Sequence, residues 1–183
     1  MSRVVRTSAV LFVNAVIIVT LISVVYRLTL NPIENNNNRQ REAVMKAVFP
    51  QADAFSELPG ETSGGIVNVF EGIVSGETAG YVIELSKEGY SGKIQILVGI
   101  SSVEEIITGM RVLRHTETPG LGALAVKEDF YGKFDNRTLI PLSVVRASPG
   151  ENEIDALTGA TITTKAITDA VNEAMDWYFG GAK

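Results

Sequence analysis

The chain has 183 residues, 45% of them hydrophobic and 20% charged, which is enough for one domain with a sizeable core plus appendages. It contains no cysteine, which excludes disulfides, thiolate metal or Fe–S ligation and cysteine nucleophiles, and its one histidine, His115, excludes a multi-histidine metal centre. The net charge is -5, and because residues 1–30 hold Arg3, Arg6 and Arg27 without an acid, the remainder carries 13 basic against 21 acidic side chains, a balance that argues against a nucleic-acid partner.

Arg6 and Arg27 bracket an uncharged run at 7–26, rich in Val, Ile and Leu. As a helix rising about 1.5 Å per residue it spans about 30 Å, the hydrocarbon thickness of a bilayer, so the spacing predicts a single transmembrane anchor. The run is long for a cleaved signal peptide and lacks a small-x-small site at its end. Asn14 within it reads either as a hydrogen-bonding group for a partner helix or as a tolerated polar residue. Arginines lie on both sides, with Arg3 and Arg6 before and Arg27, Arg39 and Arg41 after, so counting basic residues does not orient the anchor.

Beyond the anchor (1–30) the sequence predicts a polar, helix-poor linker with Pro32 and four asparagines, Asn35 to Asn38, then a short helix at 39–49 stopped by Pro50. Residues 51–65, with Pro59, Gly60, Gly64 and Gly65, read as loop. Four β-branched-rich segments follow, 66–74, 80–86, 93–100 and 106–115, separated so closely that they predict an antiparallel meander rather than parallel crossover units. Val126, Phe130 and Phe134 point to a helix over 121–134, 138–147 to a strand and 148–153 to a turn. Ile167, Val171, Ala174, Met175 and Tyr178 recur at three- and four-residue steps, so a closing helix runs from the region of Thr164 to the breakers Gly180 and Gly181. The expected organisation is an α+β domain at 51–183, an antiparallel sheet with flanking helices, behind an anchor and a connecting segment at 31–50.

Two stretches carry chemistry. Asp155-Ala156-Leu157-Thr158-Gly159-Ala160-Thr161-Ile162-Thr163-Thr164 gathers four threonines around a Gly-Ala pair and runs into the closing helix. A helix N-terminus carries unpaired N–H groups and partial positive charge, a favourable place for a phosphate. Thr161, flanked by small Gly159 and Ala160, is approachable by a large group, although residue type alone reads it as an ordinary N-cap. The second stretch, His115-Thr116-Glu117-Thr118-Pro119-Gly120-Leu121-Gly122, follows a strand and is a turn built by Pro and Gly. As plain structure, His115 ends the strand, Glu117 and Thr118 are solvated surface, and Tyr90 in Gly89-Tyr90-Ser91-Gly92 is a packing aromatic.

Together, Asp155-x-x-Thr158-Gly159-Ala160-Thr161 and, about forty residues earlier, Glu117-Thr118-Pro119-Gly120-Leu121-Gly122 resemble the two hallmarks of the FMN-binding subunits of the Rnf and Na+-NQR respiratory complexes, the RnfG and NqrC families. The Gly89–Gly92 loop is similar to the Gly-Tyr-Gly-Gly of RnfG-like proteins, which favours that side, and Thr158 stands where Ser is common. The resemblance implies FMN joined through its phosphate to Thr161, with Thr158, Gly159 and Ala160 beside it and Glu117, Thr118, Leu121 and Gly122 along the ring. It implies a separate flavin transferase, using FAD and Mg2+, that recognises Asp155, Thr158, Gly159 and Ala160. It also implies one-electron relay, without catalysis of its own, in an ion-translocating ferredoxin:NAD+ oxidoreductase whose other membrane and redox subunits are partners. The anchor would then sit in the lipid bilayer with the flavin domain outside the cytoplasm. The alternatives are an NqrC-like component of a Na+-translocating NADH:quinone reductase, a membrane-anchored scaffold or sensor whose Thr161 is only a cap, and a noncovalent flavin reductase.

Overall fold

The computed structural model describes residues 3–60 and 64–181, with residue 4 and residues 27–37 described by their helical backbone only. The chain divides into two units, 1–41 and 42–183. The first helix, α1, is Arg3–Val48, and its stretch Val5–Tyr26 is 22 residues of mean hydropathy 2.6 with no buried residue, long and apolar enough to cross a membrane. The linker expected at 31–38 is instead part of α1. Asparagine is a weak helix former, but once helix exists on either side each asparagine costs only about 0.7 kcal/mol at most, so propagation carries the helix through them, and it also runs through Pro32, whose cost in a helix interior is about 3 kcal/mol. Thr20 donates to the Val16 carbonyl at 2.7 Å, which satisfies its hydroxyl within the apolar span.

The second unit is built on a sheet of strands β1 (Ala54–Leu58), β2 (Ile66–Val74), β3 (Glu77–Glu88), β4 (Lys93–Ser101), β5 (Ile106–Arg114) and β6 (Arg137–Thr138). They pair in sequence order, each antiparallel to the next, which is the meander that the short connections predict. The loop expected over 51–65 contains β1, an edge strand of five residues too short to advertise itself before Pro59 and Gly60, and its residues 61–63 lie outside the described residues.

Both faces of the sheet are covered, so central strands read as apolar runs rather than alternating ones. On one face Ile83, Leu85, Ile94, Ile96, Val98 and Ile100 pack against the closing helix α3 (Thr161–Gly181) through Ile167, Ala170, Val171, Ala174 and Tyr178. On the other, Phe70, Val82 and Leu97 meet Met45, Val48, Phe49 and Ala52 at and just past the end of α1. The second unit therefore starts at 42, and the segment 42–50 serves as a cover for the sheet rather than as a spacer.

The helix expected at 121–134 is broken into a 3-10 turn (Gly122–Val126), a single turn α2 (Glu128–Tyr131) and another 3-10 turn (Gly132–Phe134), because extended Lys127 interrupts it. Phe130 and Phe134 are buried as the periodicity requires, whereas Val126 is exposed. The single strand expected at 138–147 is likewise divided into β6 and β7 (Ser143–Val145), separated by Pro141, which has no N–H for a ladder. β7 runs parallel to β8 (Glu153–Asp155), which delivers the chain to the threonine stretch.

Candidate functional site

Three chain segments meet at the sheet end beside the start of α3: the β3–β4 loop, the turn after β5, and the Leu157–Ala160 turn that leads into the helix. In that last turn the Ala160 N–H donates to the Leu157 carbonyl at 2.9 Å, and Gly159 takes a φ of 75° that an L side chain rarely adopts. The Ala160 carbonyl accepts from both the Thr164 N–H and the Thr164 hydroxyl at 3.0 Å, and the Leu157 N–H donates to Thr164 Oγ1 at 3.1 Å. Thr164 therefore does the local stitching that a cap would do. Thr161 occupies the first helical position, is exposed, and among the described residues its hydroxyl has no hydrogen-bond partner.

The turn after β5 is organised by Glu117, which is only 5% exposed. Its Oε1 accepts from the Ser91 N–H at 3.0 Å and its Oε2 from the Thr163 hydroxyl at 2.6 Å, so one carboxylate ties the β3–β4 loop to the first turn of α3. Gly89 and Gly122 make room for it, since a Cβ at either position would run into a Glu117 carboxylate oxygen. Ser91 and Thr118 hydroxyls also meet at 3.2 Å. A buried carboxylate held by two donors is satisfied, and it makes the three segments one rigid frame.

That frame encloses a cavity of about 360 Å³ lined by Tyr90, Glu117, Thr118, Leu121, Gly122 and residues 159–163. Its size falls within the roughly 300–1,000 Å³ usual for small-molecule sites. Leu121, Ile162 and Tyr90 supply apolar surface, Glu117 and Thr118 supply polar groups, and Thr161 presents its hydroxyl at the N-terminus of a 21-residue helix. Such a set fits a flat, amphipathic ring with a phosphate at one end: apolar contact for the face, hydrogen bonds for the edge, positive helix dipole for the anion. Gly159 lets the turn pass close to Leu121, a Cβ there lying 3.0 Å from Leu121 Cδ2.

Comparison with known proteins decides the family. Residues 89–176 match the FMN-binding domain family. The chain is 37% identical to the G subunit of an ion-translocating oxidoreductase complex of Methanosarcina acetivorans, over 75% of this chain and 74% of that one. It is 32% identical to the G subunit of the Na(+)-translocating ferredoxin:NAD(+) oxidoreductase complex of Acetobacterium woodii, over 94% and 90%. The chain belongs to the family of G subunits of ion-translocating oxidoreductase complexes. The crystal structure of the C subunit of a Na(+)-translocating NADH-quinone reductase from Parabacteroides distasonis is also similar, with a TM-score of 0.52 and 26% identity over 61% of this chain and 60% of that one.

In this member of the G-subunit family, the cavity brings together Glu117, Thr118, Leu121, Gly122, Gly159, Ala160 and Thr161 from motifs far apart in sequence. Thr158 and Asp155 do not join them. They line a separate cavity of about 350 Å³ with Lys127, Lys133 and Phe130, where the Lys133 ammonium donates to the Asp155 carbonyl at 3.1 Å. Thr158 is thus turned away from the cavity to which its neighbours contribute. Tyr90, read from sequence as a packing aromatic, is 71% exposed and lines the first cavity. Ile162 and Thr163 also line it and carry no individual signal in the sequence, because their roles follow from where the first helical turn points. His115 accepts from the Glu117 N–H through Nδ1 at 3.2 Å and lines a neighbouring groove instead of the cavity.

Proposed function

We propose that this chain carries FMN in the 360 Å³ cavity, joined through its phosphate to the Thr161 hydroxyl oxygen, and relays electrons between neighbouring redox subunits of an ion-translocating ferredoxin:NAD+ oxidoreductase. One observation carries the site assignment. Of the four threonines in the stretch, Thr163 and Thr164 are buried and hydrogen-bonded and Thr158 lines another cavity, which leaves Thr161 as the hydroxyl free at the mouth of this one.

FMN, when bound, supplies reversible electron uptake that no side chain of this composition offers. The protein's part is to hold it. Leu121 and Ile162 would give the ring an apolar wall, Thr118 and Glu117 would supply polar groups for its edge, and the first turn of α3 would receive the phosphate. The helix dipole contributes about 0.3–2 kcal/mol, enough to orient a phosphate and far too little to retain a cofactor against dilution. A covalent bond retains it. Thr161 is a weak nucleophile by itself, so a flavin transferase using FAD activates it: the Thr161 oxygen forms the bond to the flavin-side phosphorus, the bond to AMP breaks, and the hydroxyl proton passes to a base of the transferase. The cavity containing Asp155 and Thr158 flanks the attachment turn and is where that transferase would grip. The 22-residue apolar stretch anchors the chain in the lipid bilayer with the flavin domain outside the cytoplasm.

Intact-mass measurement of the chain matured with its transferase tests the attachment. The expected result is one added FMN, lost in Thr161→Ala and retained in Thr161→Ser. A colourless wild-type chain of amino-acid mass alone overturns the relay and returns the protein to a scaffold.

A further inference from the structure

Beside the cavity lies a larger open groove of about 610 Å³ that the flavin reading does not use. Apolar Val112, Leu113 and Val126 line it together with exposed Lys93 and Arg114 and half-buried His115, and no acid is among its lining residues. This is unusual for its setting, because residues 42–183 carry 11 Lys and Arg against 20 Asp and Glu. Three other cations of that unit are spent on ion pairs, Lys87 with Glu173, Arg111 with Asp135 and Lys133 with Asp155. Lys93 and Arg114 have no ion pair among the described residues. Glu88 stands opposite Lys93 in the β3–β4 register, yet it lies outside the groove and forms no ion pair with it.

The groove also adjoins the cavity. His115 and Thr116 line it while the next residue, Glu117, lines the cavity, and the Thr116 hydroxyl reaches the Ser91 carbonyl of the same loop that Glu117 holds, at 3.4 Å. Electron transfer weakens steeply with distance, so any protein that exchanges electrons with a group in the cavity must approach near this face. An acidic partner is repelled by most of the second unit and attracted here, which fixes its orientation as well as its rate of arrival.

We propose that this groove is the docking surface for the redox subunit that exchanges electrons with the chain, engaged by an acidic protein loop carrying an apolar residue. The identity of the occupant as a redox subunit rests on the relay reading above.

The test uses full-length chain rebound in detergent to a complex purified without it, with affinity measured across a salt series for wild type, for Lys93→Glu/Arg114→Glu, and for Arg146→Glu/Lys165→Glu. The last pair makes the same charge change at exposed positions outside the groove. Expected is a loss of about tenfold or more in affinity for the groove pair at low salt, closing as salt rises, with the control pair within about twofold and the melting temperatures of all three alike. Equal losses in both pairs, or a wild-type affinity indifferent to salt, overturn the proposal. So does a groove pair that rebinds normally while losing attachment to anionic-lipid vesicles. Flavin content, read on the same samples, separates the two ideas: a flavin-free wild type removes the relay, whereas the salt series judges the groove by itself.

Discussion

At the scale of single residues the frame around the cavity turns on Glu117. Its carboxylate sits between Gly89 and Gly122 and takes hydrogen bonds from Ser91 and Thr163, so nothing larger than hydrogen fits at those glycines while it stays in place. Gly122→Ala is expected to push the carboxylate off the Thr163 hydroxyl and cost about 1–3 kcal/mol, the usual penalty of overpacking. A thermal melt of the flavin-free chain reads this directly. Thr163→Val keeps the shape and removes the donor to Glu117 Oε2, with an expected cost of about 1–3 kcal/mol. Since Val also leaves the Thr161 hydroxyl untouched, flavin attachment should persist in this variant, which intact mass will show. Both expectations differ from that for Thr161→Ala, where the exposed, unbonded hydroxyl can be removed with little effect on the fold.

At the scale of elements, α3 is held to the sheet by its apolar face and by one clamp near the loop before β2. Ile167 is fully buried among the sheet side chains, so Ile167→Ala is expected to lose about 2–5 kcal/mol in a denaturant melt, whereas Ala at exposed Lys165 should change little. In the clamp, Glu173 Oε1 accepts from the Gly65 N–H at 2.6 Å and Oε2 meets the Lys87 ammonium. Burial pushes the Glu173 carboxyl up, but the hydrogen bonds from Lys87 and Gly65 and the Lys87 charge outweigh that and leave it below the ordinary 4.5. A depressed carboxyl binds fewer protons in the folded chain than in the unfolded one, so its contribution is complete above 4.5 and disappears as pH falls through the folded value. Wild type is therefore expected to be more stable than Glu173→Gln at neutral pH, with the two urea midpoints converging well below 4.5.

For the whole molecule, the place where the compact unit begins is a physical question about the sheet's second face. Met45, Val48 and Phe49 cover Phe70, Val82 and Leu97, so a fragment of 42–183 keeps a closed core and one of 51–183 exposes it. The longer fragment is expected to melt cooperatively and the shorter to aggregate or melt many degrees lower, as calorimetry would show. The proposed placement of the second unit outside the cytoplasm has a clean test because the chain has no cysteine. A single Glu128→Cys on the exposed first residue of α2 should react with a membrane-impermeant thiol reagent in intact cells, and protection from it would reverse the assigned topology.

Much of this architecture is written locally and therefore legible in order along the chain. The apolar run, the strands at 66–74 and 93–100 and the closing helix depend on periodicity within each segment, whereas it was the family resemblance that singled out the turn after β5 and the start of α3, between which a cavity lies. What stayed hidden depends on contacts made at a distance. β1 is only five residues long and exists because β2 offers it an edge, while the connecting asparagines are helical because helix flanks them. Thr158 and Thr161 have the same side chain three positions apart, and only the turn at Gly159 sends one to each of two cavities. Tyr90 and Thr163 joined the site because Glu117 draws their segments together across the fold, a pairing of residues 26 and 46 positions from it in the case of Ser91 and Thr163. Residue types along the chain determined which hydroxyls are on offer; which one stays free was decided by the fold, because Thr163 is taken by its bond to Glu117 across 46 positions, Thr164 by the turn before it, and Thr158 is turned into another cavity.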